Sequence, residues 1–454
     1  MSGDEPDEIR NIWSKVKGKL SASVGMCLAA NLHSITLTMF RILSVLLCAS
    51  AAYAKPKILR RQDVAGEVVP DKYIVQLAPN AVLDDRLIQK LKTESGIKVN
   101  KTTSFDLDGL KGFTVKANDS AIDSLAEYSS LISVEPVTVI RAAIIPRQAT
   151  STTLVAGDAT WGLDRISHQK WTYTSRDFPV NQTEYVYNST GGLNTVTYVV
   201  DTGIYTGHND FGGRASHGAN FITTEGPEDR NGHGTHVAST IGGRRYGAAR
   251  RGRLVSVKVL NANGTGDISG IISALDWINK DVAAKKAFRR GSVVNLSIGA
   301  DFSQIFNDAV SALAKAGILV VVAAGNNGAD ASKYSPASAP GACAIGSISY
   351  YNTVNAFSNF GSTVALHAPG FRVRSAGIAG PNAVVELSGT SMASPHVAGV
   401  GAYLMSINTR YTGSSLCRQM QVVATRNQLK KDDGTPLDIR TPNLIVWNTA
   451  VQPR

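Results

Sequence analysis

The sequence predicts an α/β protein with a doubly wound, mostly parallel sheet, and three observations support this. Four continuous apolar runs are typical of parallel strands covered on both faces. Stretches with helical periodicity follow two of these runs, at 267–284 and 302–317. The chain has ample material for a large core, with 454 residues of which 43% are hydrophobic and 18% charged. The apolar runs are VTYVV (196–200), LVSVKVL (254–260), SVVNLSI (292–298) and ILVVVAA (318–324).

A smaller α+β unit is predicted ahead of this sheet, at residues 70–142. DKYIVQL (71–77) alternates like a strand, apolar residues between 83 and 91 recur at helical spacing, and 105–117 holds two strands about Gly109. Asn118 is expected to cap a second helix, and a last strand follows. The order β-α-β-β-α-β is common and specifies no function by itself. Residues 144–157 lack periodicity and predict a linker.

The amino-terminal region contains a secretory signal in an unusual place. From Met39 to Ala54 a basic residue, an apolar run and small residues follow one another as a signal peptidase requires. Residues 1–38 fit no such pattern, so our hypothesis is that they are an extension of the gene model. The signal favours secretion, with the vacuole as the alternative. Other segments fall short of the ~20 apolar residues that a membrane span requires.

The charge distribution bears on the expected partners, and the cysteine content bears on whether the chain contains a disulfide. The net charge of +11 is spread along the chain, without a nucleic-acid motif or aromatic-interleaved basic repeat, so nucleic acid is not an expected partner. Two cysteines, Cys343 and Cys417, lie in the part expected to be exported. They form either a disulfide or two buried thiols, and an oxidising compartment favours the disulfide.

Four polar residues lie where ligands bind in such sheets, beyond the carboxyl ends of strands. Asp201 follows the first run, His233 lies in NGHGTHVAST, Asn326 follows the fourth run, and Ser391 opens a helix in LSGTSMASPHVAGV. A serine needs a base within hydrogen-bond reach, and that base needs an acceptor. Asn326 and the N–H of Ser391 could stabilise an oxyanion. Singly, each residue has an ordinary explanation as a turn or cap residue; together they predict a nucleophilic site.

The blocks around these residues resemble the signatures of the subtilisin-like serine proteases. DTG at 201, NGHGTHVA at 231, AAGN at 323 and SGTSMASPHVAG at 388 occur in that family's order. YSPAS (334–338) and FSNFGS (357–362) are similar to the proteinase K branch, especially its secreted and vacuolar fungal enzymes. The resemblance implies Asp201 as orienting residue, His233 as general base, Ser391 as nucleophile and Asn326 as oxyanion donor. His236 is then expected to be structural.

The resemblance also implies how a protein or peptide substrate binds. Its backbone would pair as an extra strand with two segments, which gives broad specificity. The pocket for the residue before the cut bond would lie between 297–300 and 323–326 and favour large apolar or aromatic side chains. The two pairing segments are Gly264-Thr265-Gly266 and Ser297-Ile298-Gly299.

The resemblance assigns the earlier unit to an inhibitory propeptide. Residues 55–147 would be the propeptide with a ferredoxin-like core at 70–142, and 148–454 the peptidase domain, expected as a monomer. Ser391 itself would cut the precursor within about residues 144–152. Cys343 and Cys417 match one disulfide of proteinase K. No cofactor is expected, because the family's calcium site would use the carbonyls of Pro340 and Ala342 but has Ala365 at its aspartate position.

Three other classes remain as alternatives. An α/β-hydrolase esterase would have G-x-S-x-G and the order serine, acid, histidine, whereas here Ala393 interrupts the motif and the order differs. A metallohydrolase could use His233 and His236, but the glutamate of HExxH is missing. A catalytically silent binding homologue would have lost a catalytic residue.

Six N-x-[ST] sequons also occur, at Asn100, Asn118, Asn181, Asn188, Asn263 and Asn295. The sites at 263 and 295 adjoin the expected cleft and are candidates for shielding.

Overall fold

The computed structural model describes residues 55–64, 66–95, 97–142, 159–171, 183–285, 290–408, 411 and 413–449. The stretch 1–38, the signal at 39–54 and the linker at 144–157 lie outside the described residues. The chain divides into two compact units, Met1–Pro56 with Glu127–Ser129, and Lys57–Ala126 with Ser130–Arg454. In the first unit, the exposed Lys55 ammonium forms a 2.8 Å ion pair with the Glu127 carboxylate. Everything below concerns the second unit.

Residues 57–142 form five strands and two helices. The carboxamide of Asn118 accepts the N–H of Ala121 and so caps the second helix, as the sequence predicts. The strand order outward from β5 is β5-β2-β4-β3, and neighbours in it are antiparallel. The elements are β1 (Lys57–Ile58), β2 (Val68–Leu77), α1 (Asp85–Ser95), β3 (Lys98–Leu107), β4 (Leu110–Lys116), α2 (Asp119–Asp123) and β5 (Leu131–Ala142).

The rest of the chain is organised around a large sheet. Seven strands pair in parallel in the order β16-β14-β12-β10-β6-β8-β7, which confirms the predicted doubly wound α/β class. The strands are β6 (Thr195–Asp201), β7 (Ala215–Asn220), β8 (Arg253–Lys258), β9 (Thr265–Asp267), β10 (Gly291–Leu296), β11 (Ile298–Asp301), β12 (Leu319–Ala323), β13 (Tyr334–Ser335), β14 (Cys343–Ile348), β15 (Thr353–Val354), β16 (Val364–Pro369), β17 (Val373–Ala376), β18 (Val384–Leu387), β19 (Thr425–Arg426), β20 (Lys430–Lys431) and β21 (Leu444–Ile445).

Helices cover both faces of this sheet, and a large hydrophobic cluster lies on each face. The helices are α3 (Trp161–Ser167), α4 (His233–Gly242), α5 (Ile268–Lys285), α6 (Gln304–Lys315), α7 (Thr390–Ile407) and α8 (Leu416–Val423). In β6, Tyr198 faces the core with α5 and α6, whereas Val199 faces the core with α4 and α7. All residues of β6 are buried, which explains its continuous apolar sequence. Among the described residues, no helix combines the length and apolarity needed to cross a bilayer.

Candidate active site

The carboxyl end of β6 places Asp201 against the start of helix α4. His233, the first residue of that helix, directs its Nδ1 to the Asp201 Oδ1 at 2.7 Å, and both side chains are fully buried. The same carboxylate oxygen accepts the N–H of Thr202 at 2.7 Å. An imidazole whose Nδ1–H donates to a carboxylate presents its Nε2 as the basic nitrogen. The structure thus brings together the aspartate and histidine that the sequence singled out.

A second carboxylate, that of Asp229, fixes the turn that leads into helix α4. It accepts the N–H groups of Asn231, Gly232 and Thr235 at 2.8–3.0 Å. It also accepts the hydroxyls of Thr235 at 2.6 Å and of Thr202 at 2.8 Å. Because Gly232 has no side chain to cap the helix, Asp229 accepts the orphan N–H of Thr235, while Asn231 and Thr202 accept those of His233 and Gly234. Asp229 therefore joins the Asp201 end of β6 to the His233 helix.

Ser391 is the second residue of helix α7. Its hydroxyl is buried and donates to the carbonyl of Ser297 at 2.9 Å. The ring nitrogen Nε2 of His233 is buried and has no hydrogen-bond partner among the described residues. The hydroxyl is thus directed at Ser297, in the segment predicted to pair with a substrate. The aspartate–histidine contact is formed, while the serine is held by Ser297.

The amide of Asn326 is oriented by Thr390, the residue before Ser391. Its Oδ1 accepts the N–H and the hydroxyl of Thr390, both at 2.8 Å. The Thr390 hydroxyl in turn accepts the N–H of Gly325 at 3.2 Å. These hydrogen bonds fix the orientation of the Asn326 amide, the group that the sequence predicts as the oxyanion donor.

The substrate-pairing segments flank the last residues of strand β5. On one side Ile140 pairs with Gly266 and Arg141 with Thr265, and the N–H of Ala142 donates to the Gly264 carbonyl at 2.9 Å. On the other side β5 is antiparallel to β11, with Ala142 opposite Ile298 and Arg141 opposite Gly299. A segment of the chain itself thus lies as a middle strand between the two segments predicted to hold a substrate.

A cavity of about 370 Å³ opens beside this strand. Ala323, Ala324 and Gly325 line it on one side, and Gly299 with Ala300 on the other. The charged side chains that border it are Glu67, Arg141 and Asp301, and the first two form an ion pair that is about two-thirds exposed. The cavity lies where the sequence predicts the pocket for the residue before the cut bond.

Three further sequence expectations involve residues outside the aspartate–histidine pair. His236 is fully buried and its Nε2 donates to the Val373 carbonyl at 2.9 Å, so it does not reach Asp201. The disulfide between Cys343 and Cys417 is present. At the position of the family's calcium site, the Ser311 hydroxyl donates to the Pro340 carbonyl at 2.8 Å and Ala365 offers no carboxylate. These residues do not fit a calcium ion.

A carboxylate–imidazole pair and a helix-start serine at the carboxyl edge of a parallel sheet are the arrangement of a serine hydrolase. The family model described as the subtilase family matches residues 192–436. The chain is 40% identical over 331 residues to the subtilisin-like serine protease Pen c 1 of Penicillium citrinum, covering 73% of this chain and 78% of that protein. It is 37% identical over 395 residues to subtilisin-like protease 2 of Pseudogymnoascus destructans, covering 86% and 92%.

A solved structure agrees with these matches. A cold-adapted subtilisin-like serine proteinase is 36% identical to the chain and superposes with a TM-score of 0.55 over 65% of this chain and 100% of that one. The chain belongs to the subtilase family. It is a subtilisin-like serine protease, and therefore a hydrolase.

Two residues of the site were missed by sequence reasoning. Asp229 precedes NGHGTH by two positions, and an acidic residue just ahead of a helix start is a recognisable capping signal. Thr390 directly precedes Ser391, and its hydroxyl and N–H both donate to the Asn326 Oδ1. That role depends on a contact 64 residues away in sequence, and neither spacing nor residue type indicates it.

Proposed function

We propose that the chain is a secreted serine endopeptidase of broad specificity, made as a precursor that processes itself. The observation that carries the proposal is the strand β5, whose end from Val139 to Ala142 lies between β9 and β11. A polypeptide bound in this way is held through its main chain, which every peptide substrate shares. Esters of small acids lack that backbone, so the cleft favours peptides over such esters.

The proposed mechanism uses the residues described above. His233 removes the proton from the Ser391 hydroxyl, whose oxygen attacks the carbonyl carbon of the substrate. Asp201 stabilises the imidazolium, while the Asn326 amide and the Ser391 N–H donate to the oxyanion. The imidazolium then gives its proton to the leaving amine as the C–N bond breaks. Water, activated by the same imidazole, hydrolyses the acyl-enzyme and restores the serine.

The pocket supports a preference for large apolar or aromatic residues before the cut bond. Its walls are small side chains and backbone from 299–300 and 323–325, which leave room for an aromatic ring. The neighbouring charges Glu67 and Arg141 lie within residues 55–147, the proposed propeptide, and would leave with it. We therefore expect cleavage after phenylalanine, tyrosine or leucine to exceed cleavage after lysine or glutamate.

Self-processing is supported by the register of β5. Arg141 pairs with Gly299, and the next residue, Ala142, pairs with Ile298. A substrate chain continuing in this register would reach Ser297 one residue further on, and the Ser297 carbonyl is 2.9 Å from the Ser391 hydroxyl. We therefore place the first cut at the near end of the interval 144–152. The unit before the cut would remain as an inhibitor, because its end occupies the cleft.

The test is the fate of the precursor in the Ser391→Ala variant. Expressed alone, this variant should accumulate uncut, whereas the native chain should yield a product beginning near residue 144. Addition of active native enzyme should then cleave the variant, which shows that the variant is folded and that only the nucleophile was missing. Terminal sequencing by mass spectrometry locates both cuts.

Two outcomes would contradict the proposal. A mature-sized product from Ser391→Ala expressed alone would rule out self-processing. An enzyme that hydrolyses simple esters but leaves a denatured protein uncut would indicate a non-proteolytic esterase. We include no metal in the mechanism, so a chelator should leave peptide hydrolysis unchanged and a serine-directed sulfonyl fluoride should abolish it.

A further inference from the structure

The sequons at 263 and 295 differ sharply in the folded chain. Asn295 lies inside the central strand β10, is fully buried, and donates its amide to the Ser297 hydroxyl at 2.9 Å. A sugar on that nitrogen is incompatible with the fold. Asn263, in Asn263-Gly264-Thr265, is exposed at the tip of a turn. The expectation of shielding therefore holds for Asn295 and is wrong for Asn263.

The turn that carries Asn263 is fixed by hydrogen bonds on both sides. The Asn261 Oδ1 accepts the N–H of Asn263 at 2.9 Å and the N–H of Thr265 at 3.1 Å. The N–H of Ala262 donates to Glu225 at 2.9 Å, and the carbonyl of Ala262 accepts the amide of Asn231, two residues before His233. A group attached at 263 is thus anchored to the turn that leads to the candidate base.

Asn263 also adjoins the path of a bound chain. The register of β5 on this side runs through Gly266 and Thr265, and the N–H of Ala142 then meets the carbonyl of Gly264. A methyl group built on Gly264 would lie 3.6 Å from the Cβ of Ala142, so the bound strand passes directly beside the sequon. Asn263 is the next residue in the direction of the cut bond, and it stays exposed with the strand in place.

We propose that Asn263 carries an N-linked glycan on the rim of the cleft, and that this glycan restricts the enzyme to extended or unfolded segments. This inference rests on the proposed endopeptidase function and secretion. In the modification, the Asn263 amide nitrogen bonds to the anomeric carbon of a lipid-diphosphate-linked oligosaccharide. The bond from that carbon to the diphosphate breaks, and the amide proton leaves with the diphosphate. A narrow peptide passes the glycan, whereas a folded domain collides with it.

The experiment compares the native chain with Asn263→Gln, both secreted from a eukaryotic host. The matched control is Asn188→Gln, an exposed sequon that precedes β6 at the opposite end of the strand from Asp201. Peptide mapping measures the glycan at residue 263, and two rates are measured before and after endoglycosidase H. One is hydrolysis of a tetrapeptide p-nitroanilide, and the other is cleavage of a stably folded protein.

We expect glycan mass on the peptide that contains Asn263 and none on the peptide that contains Asn295. The ratio of folded-protein to tetrapeptide cleavage should rise several-fold in Asn263→Gln and in the deglycosylated native enzyme, and stay unchanged in Asn188→Gln. Deglycosylation should abolish the difference between the native enzyme and Asn263→Gln. An unmodified Asn263 would overturn the proposal, as would a ratio that the glycan does not change. If none of the proteins hydrolyses the tetrapeptide, the protease function is refuted instead. The mass of the peptide that contains Asn263 still decides separately whether that residue carries a glycan.

Discussion

Replacement of Thr390 by valine tests whether the orientation of Asn326 matters for turnover. Valine keeps the shape of threonine and the backbone N–H that donates to the Asn326 Oδ1, but it removes the hydroxyl that makes the second 2.8 Å bond. It also removes the acceptor of the Gly325 N–H, in the loop that carries Asn326. Of the two hydrogen bonds from Thr390 to the Asn326 Oδ1, only the one from the backbone N–H then remains, so the amide is less firmly oriented.

The magnitude follows from the one lost hydrogen bond that reaches Asn326 directly. A neutral hydrogen bond contributes about 0.5–1.5 kcal/mol net. If that free energy is lost only in the transition state, kcat falls by about 2- to 12-fold and KM changes little. The upper limit is set by Asn326→Ala, for which we expect about 10²- to 10³-fold, the size known for subtilisin itself rather than worked out from this structure.

The assay is steady-state hydrolysis of a tetrapeptide p-nitroanilide by five proteins. They are the native chain, Thr390→Val, Thr390→Ser, Asn326→Ala and the double variant Thr390→Val with Asn326→Ala. Serine keeps the hydroxyl, so Thr390→Ser should stay within about twofold of native. Because Thr390 is argued to act through Asn326, the double variant should be no slower than Asn326→Ala alone. The reasoning is refuted if the double variant is slower than Asn326→Ala by the same factor by which Thr390→Val is slower than native. The Thr390 hydroxyl would then contact the oxyanion directly.

Two further predictions concern stability. Removal of the disulfide in the double variant Cys343→Ala, Cys417→Ser should cost about 4 kcal/mol, because the closed loop has a sequence separation of 74. Calorimetry should show a Tm lower by about 10 °C, and an unchanged Tm would contradict it. Burial lowers the pKa of His236 to about 3 and of His367 and His396 to about 4. Unfolded imidazoles bind protons below about pH 6.5, so the free energy of unfolding should fall continuously from pH 6.5 to 4. The Tm of Ser391→Ala, which cannot digest itself, should drop over that range, and a flat profile would contradict the assignment.

The sequence predicted the sheet and the location of the site because both depend on local signals. The apolar runs at 196–200 and 318–324 are buried strands, and Asp201 and Asn326 follow them at the carboxyl edge. The capping of the 119–123 helix by Asn118 could likewise be predicted from residue type alone. Sequence patterns are sufficient where one element decides the position of a residue.

Contacts between distant elements could not be predicted in this way. The sequence gives no sign that the Ser391 hydroxyl donates to the Ser297 carbonyl, since that contact depends on how α7 packs against β10. The buried Lys258 is another example. Its ammonium donates to the carbonyls of Thr202 and Leu260 and pairs with Glu225 at 3.1 Å, which joins three loops near the cleft. A lysine at the end of a strand ordinarily indicates a surface position, and only the three acceptors explain its burial.

Strand β5 pairs at one end with the sheet of residues 57–142 and at the other with the two segments predicted to hold a substrate. Its first part pairs with β2, and its side chains Val137 and Ile140 join the core formed with α5 and α6. The buried Glu135 carboxylate accepts a hydrogen bond from the hydroxyl of Ser303, the residue that caps α6. Burial raises the pKa of Glu135. Apart from the contact of Ile140, these contacts hold the part of β5 that precedes Val139. Binding of its last residues between β9 and β11 therefore costs little conformational entropy. A cut after β5 breaks none of them. Under the proposed self-processing, release of the active enzyme therefore requires a second event that removes or degrades residues 57–142.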